Sequence, residues 1–99
     1  MASWASVSIE GDTLTLTGVL DYETVLEVDG QGQHWIVEAD TRECKLELSA
    51  ITYSSSAGIA LLLGWLRTAQ AQQKTLRFLH APASMIALAN VGGLENVLR

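Results

Sequence analysis

Cysteine, proline and positive charge are scarce in this 99-residue chain, and each scarcity removes a class of function. Cys44 is the single cysteine, which excludes an intramolecular disulfide and any multi-cysteine metal site and reads as a cytosolic chain. Six Lys and Arg stand against eleven Asp and Glu, a formal net charge of -5, with no basic cluster able to follow a phosphate backbone. Nucleic acid is therefore disfavoured as a partner. Anionic lipid headgroups are disfavoured for the same reason, so any role at a membrane should run through another protein. Met1 to Glu10 has no basic start followed by an apolar core, so no secretory signal is expected. The longest run of apolar residues and glycine, Ala57 to Leu66, is about half of the ~20 residues a spanning helix needs, so direct membrane insertion is not expected.

What is present is enough apolar residue, 48% of the chain, for one compact core and one domain spanning residues 1–99. At this length little apolar surface is available to offset chain entropy, and binding to a larger partner would add to stability.

Val7 and Ile9 alternate with polar neighbours, Gly11-Asp12 reads as a turn, and Leu14 and Leu16 alternate with Thr13, Thr15 and Thr17. This pattern predicts a β-hairpin with one buried face. Asp21 is suited to cap a first helix over about Tyr22 to Asp29, which Gly30 and Gly32 then interrupt, each costing roughly 1 kcal/mol in a helix interior relative to Ala. Cys44, Leu46 and Leu48 alternate in a strand ending near Ile51 or Thr52. The period then changes to that of a helix, with Ile59, Leu62, Leu63, Leu66 and Ala69 on one face and an end near Gln73 or Lys74. A fourth strand follows at Thr75 to His80. Pro82 marks a loop, Ser84 opens a short helix, Asn90 to Gly93 ends it, and Leu94 to Leu98 adds a final turn. The order β-β-α-β-α-β-α implies an α/β fold, a mixed sheet with helices packed on it.

Few residues could carry chemistry. His34 and His80 lack metal-ligand spacing, Cys44 sits at an inward strand position, and neither a G-x-S-x-G elbow nor a G-x-x-x-x-G-K-[ST] phosphate loop occurs. No metal, no cofactor and no enzymatic activity are expected. One segment stands out: Tyr53-Ser54-Ser55-Ser56-Ala57-Gly58, between a buried strand and the start of the strongest helix. Serine there is favoured as a helix cap, but one serine suffices, and the other hydroxyls are left for recognition. The free N-H groups and partial positive charge of a helix start can also hold a phosphate or a partner's carboxylate. On the same helix, at about 100° per residue, Leu61 falls nearly opposite the apolar stripe with Trp65 toward the same flank. Both are therefore expected off the core, as interface anchors.

Four blocks carry a resemblance. Gly18-Val19-Leu20-Asp21, Leu46-Glu47-Leu48-Ser49-Ala50-Ile51, Ser56-Ala57-Gly58-Ile59-Ala60-Leu61-Leu62-Leu63 and Leu88-Ala89-Asn90-Val91-Gly92-Gly93-Leu94 resemble, in order, the successive blocks of STAS domains. These domains are named for sulphate transporters and anti-sigma factor antagonists. The resemblance implies a non-enzymatic cytoplasmic interaction module in which a Ser or Thr at the start of the second helix is phosphorylated or required for binding. Aligning the motif glycine with Gly58 puts that residue at Ser56. Where the family usually has Asp just before it, this chain has Ser55, and Glu47 stands where Asp is more frequent.

The length and the stretch Gly58-Ile59-Ala60-Leu61-Leu62-Leu63-Gly64-Trp65-Leu66 look most like the small cytoplasmic STAS subunit of the bacterial ABC transporter that maintains outer-membrane lipid asymmetry. That implies a complex with a cytoplasmic ABC ATPase subunit and a membrane permease, and peripheral association with the inner membrane. An anti-sigma factor antagonist regulated by serine phosphorylation is the alternative. An enzyme using Ser56 as nucleophile lacks a nearby base. The expected docking or switch surface comprises Ser54, Ser55, Ser56, Ala57, Gly58, Leu61 and Trp65.

Overall fold

The computed structural model describes residues 3–91. Strand β1 (Ala5–Glu10) turns through Gly11-Asp12 into the antiparallel β2 (Thr13–Leu20), and Gly11 adopts φ 62°, which only glycine reaches without steric cost. Helix α1 (Thr24–Glu38) then crosses to β3 (Glu43–Ser54), which lies parallel to β2. Helix α2 (Ser56–Ala71) crosses to β4 (Thr75–Leu79), parallel to β3, and α3 (Ala83–Val91) follows. The sheet order is β1-β2-β3-β4, so the α/β reading and the element order both hold.

Strand register explains why the helices gather on one face. Leu14 pairs with Leu46 and Leu46 with Phe78, while Cys44 pairs with Leu76, so the apolar positions of three strands lie in rows on one side. The other side carries Thr13, Thr15, Lys45, Glu47 and Arg77, half-buried or exposed. One face of this sheet is thus packed and the other wet, the usual outcome of strict apolar-polar alternation. Helices α1 and α2 pack on each other and on the sheet, and α3 packs on α2 and β3.

Several boundaries differ from the sequence reading. Helix α1 starts at Thr24 rather than Tyr22, with Glu23 at the cap position, and Asp21 holds the turn leading into it: its Oδ1 accepts the backbone N-H groups of Glu23 (2.9 Å) and Thr24 (3.0 Å). The helix also runs through Gly30 and Gly32 to Glu38 instead of ending at Asp29. Val28, Trp35 and Ile36 bury its inner face, and that burial outweighs two glycine penalties of about 1 kcal/mol each. The Lys74 ammonium finishes the job, donating to the carbonyls of Ile36 (2.7 Å), Val37 (3.3 Å) and Ala39 (2.7 Å) that the helix end leaves free.

Strand β3, expected to stop near Ile51 or Thr52, continues to Ser54 because two register shifts against β2 each insert a residue. The inward positions accordingly step from Leu46 and Leu48 to Ile51 and then Ser54, a rhythm that a search for strict alternation misses. Helix α2 ends at Ala71, slightly before the expected Gln73 or Lys74, where the chain turns with Gln73 at φ 58°. The final turn expected at Leu94 to Leu98, and the Gly92-Gly93 stop before it, lie outside the described residues.

Candidate partner-docking site

The three serines occupy three different environments where β3 hands over to α2. Ser54 is buried and donates its hydroxyl to the Ser55 carbonyl (3.0 Å). Ser55 is the cap: its extended backbone lets Oγ accept the Ala57 N-H (3.1 Å), while its own N-H donates to the Leu20 carbonyl (2.9 Å) and ties the helix start to β2. Ser56 is the first residue of α2, exposed, and among the described residues its hydroxyl has no hydrogen-bond partner. The chain thus does its capping with the residue that stands in place of the family's Asp, another good capping residue. Ser56 keeps a free hydroxyl.

Gly58 fixes how closely this turn approaches the sheet. A β-carbon there would press on Ser54 Oγ and the Leu20 side chain, so the motif glycine is a packing requirement. Beside it, the β2–α1 connection is held by Thr24, fully buried, which donates Oγ1 to the Val19 carbonyl (2.7 Å) and accepts the Asp21 N-H (2.9 Å). The Thr24 N-H, with help from the Ser3 hydroxyl, holds the Asp21 carboxyl below the ordinary aspartate range.

Around this end of the sheet large side chains stand in solvent: Tyr22 at 75%, Leu26 at 81% and Tyr53 at 57% exposure, with Trp4 at 59% beside Gly18. Between α1 and α2 an open groove of about 400 Å³ is lined by Tyr22, Leu26 and Asp29 on one side and Ala57, Ala60 and Gly64 on the other. None of Tyr22, Leu26 or Ala60 stands out in the sequence. The only available signal is the spacing of Tyr22, just before α1, and Leu26, four residues on and off the buried side of the helix.

The expectation that Leu61 and Trp65 project from the core is wrong. Leu61 is 7% exposed and Trp65 fully buried, with Trp65 Nε1 donating to Asp29 Oδ1 (2.9 Å) and its ring lying over Gly32. Helix α2 is covered by the sheet on one side and α1 on another, so its buried arc is broad and its centre is rotated roughly 60° from the expected stripe toward Leu61 and Trp65. Neither can be an exposed anchor; Leu61 contributes only to the groove's floor.

The titratable groups elsewhere form no reactive set. His80 Nδ1 lies 2.8 Å from Glu47 Oε1 on the sheet surface, and His34 is exposed on α1. Partial burial tends to raise the Glu47 carboxyl, but the hydrogen bonds from His80 and Ser49 outweigh it and leave it below its ordinary value. Cys44 is buried and burial pushes its thiol up, so a reactive thiolate is disfavoured. Among the described residues no three His, Cys, Asp or Glu side chains converge, and no helix is long and apolar enough to cross a membrane.

Comparison with known proteins follows this geometry. The family model described as "Mlab, STAS domain" matches residues 5–99. None of the curated proteins matches the chain. Among solved structures, the anti-sigma factor antagonist SpoIIAA in its unphosphorylated form superposes with a TM-score of 0.74 at 17% identity, covering 93% of this chain and 83% of that one. The phosphorylated form of the Bacillus cell fate determinant SpoIIAA gives 0.69 at 18% identity, with 93% and 86% covered. At such identities the likeness establishes the fold. STAS domains are in general non-enzymatic regulatory modules that work through protein–protein contact. The match over residues 5–99, borne by a mixed four-stranded sheet with its helices on one face, means that this chain belongs to the STAS domain family.

Proposed function

We propose that this STAS domain is the regulatory subunit of a phospholipid-transporting ABC complex that maintains outer-membrane lipid asymmetry, where it binds the cytoplasmic ATPase and supports its assembly or activity. In this reading it is a non-enzymatic cytoplasmic protein, held at the inner membrane only through the complex. The carrying observation is the free hydroxyl of Ser56 on the first turn of α2, left available because Ser55 does the capping. The surface that docks is Ser56 with Ala57, backed by the packed turn of Ser54, Ser55 and Gly58. The description of the matching family model and the likeness of the Gly58–Leu66 stretch to transporter-associated STAS subunits support the choice of partner.

The test is an affinity pull-down of the tagged chain from detergent-solubilised cells. Co-purification of an ABC ATPase with its permease is the expected result. Recovery of a small histidine-kinase-like anti-sigma factor instead would overturn it in favour of the antagonist role.

A further inference from the structure

We infer that the groove between α1 and α2 seats a basic amphipathic helix presented by the partner, which rests on reading this end of the molecule as a docking surface and specifies what docks there. Its floor is a ridge of α2, Ala57, Ala60, Leu61 and Gly64, at i, i+3, i+4 and i+7. A β-carbon on Gly64 would meet nothing within 4 Å, so the slot is open there. Tyr22 and Leu26, at 75% and 81% exposure, form the wall. A slot with the large side chains of Tyr22 and Leu26 along one edge and the small-residue ridge of α2 along the other leaves room for the side chains of a third helix.

The walls also decide the occupant's backbone. Helices α1 and α2 satisfy their own interior backbone groups, so an extended peptide laid in the groove would find no hydrogen-bond partners for its N-H and C=O groups. A helix brings its own. Charge decides its side chains. Asp29 lines the groove with Oδ1 accepting from Trp65 Nε1 (2.9 Å) and Gln33 Nε2 (3.3 Å), and among the described residues Oδ2 has no donor. From Asp21 to Asp29 the chain carries Asp21, Glu23, Glu27 and Asp29 and no Lys or Arg. A cationic side chain is drawn to this segment. A second copy of this chain, with net charge -5 and the same acidic segment, is repelled, and a lipid tail would leave the Asp29 carboxylate against hydrocarbon.

The test replaces Ala60, and separately Ser56, by the photoreactive amino acid p-benzoylphenylalanine in the full chain, illuminates living cells and identifies the cross-linked segment by mass spectrometry. From position 60 the expected capture is a protein segment with apolar residues at helical spacing and Lys or Arg on one flank. A synthetic peptide of that segment should bind the unmodified chain and bind Gly64→Leu about tenfold more weakly. That substitution fills the slot without meeting the fold, and an unchanged or raised melting temperature confirms it. Asp29→Asn should weaken binding and flatten its salt dependence. Capture of lipid, a second copy, an acidic or non-helical segment, or nothing at position 60 overturns the inference. An ABC ATPase captured from position 56 with nothing from position 60 removes the helix but leaves the docking reading. A basic helix captured at position 60 from a protein other than an ATPase keeps the helix and removes the assigned partner.

Discussion

Ser56 and Ser55 divide two tasks that a single serine often combines, and substitution should separate them. Because Ser55 Oγ accepts the Ala57 N-H, changes at Ser56 leave the cap in place. Ser56→Thr should keep partner binding, Ser56→Ala should lose about 0.5 to 1.5 kcal/mol of it, and Ser56→Asp should lose more, since it carries an unpaired carboxylate into the interface. All three variants should melt close to the parent, with Asp slightly favoured by the helix dipole. Partner affinity and melting temperature, measured together, check this; normal binding by Ser56→Asp would return the residue to a merely local role. Trp65 behaves oppositely. Fully buried and bonded to Asp29, it should cost about 3 to 5 kcal/mol of folding stability when replaced by Ala. Trp65→Phe, which keeps most of the packing and loses the N-H donor, should cost about 1 to 2 kcal/mol. Urea denaturation of the isolated domain distinguishes these from a pure binding defect.

Among the elements, α1 shows most clearly where local sequence misleads. Gly30 and Gly32 carry the same propensity penalty, yet Gly30 faces open space and Gly32 lies against the Trp65 ring. Gly30→Ala should therefore stabilise by about 0.5 to 1 kcal/mol, while Gly32→Ala should destabilise, because the added carbon must displace a buried indole. Opposite shifts in melting temperature from two glycines one turn-fraction apart are the expected result. The same contact explains which parts of the fold were legible in the sequence. Strands β1, β2 and β4 and helix α2 announce themselves through their own periodicity. The length of α1 does not, because its glycine is justified only by a tryptophan 33 positions away in α2. The serine turn is legible as a helix start, since capping chemistry is local, but assigning its cap to Ser55 needs the backbone. The faces of α2 were misjudged because Leu61, Leu62, Leu63, Trp65 and Leu66 leave no polar side narrow enough to locate its centre, and the groove was invisible until α1 was placed beside it.

For the molecule as a whole, three carboxyl groups are held below their ordinary values: Asp12 by the Thr13 hydroxyl and Lys45, Asp21 by the Thr24 N-H, and Glu47 by His80 and Ser49 against partial burial. In each, the unfolded chain takes up a proton at a higher pH than the folded one, so their contribution is complete above about pH 4 to 4.5 and is lost as pH falls through the lower folded values. Denaturation midpoints should thus be flat from pH 7 to 5 and begin a modest decline below about 4, since all three groups are solvent-screened. Asp21→Asn, which retains a capping oxygen but cannot titrate, should make that fall shallower.

The two register shifts in β3 work as buffers. Each absorbs one extra residue opposite β2, so the residues beyond it keep both partner and face: Ile51 lies beside Gly18 and Ser54 beside Leu20, both inward, and α2 departs with Ser56 toward solvent. Deleting the extra residue at either shift would restore regular pairing there and leave everything downstream facing as it does, whereas an insertion that no bulge absorbs would turn every later side chain over. The orientation of Ser56 is thus set by the pairing of β3 with β2 and not by the number of residues in β3.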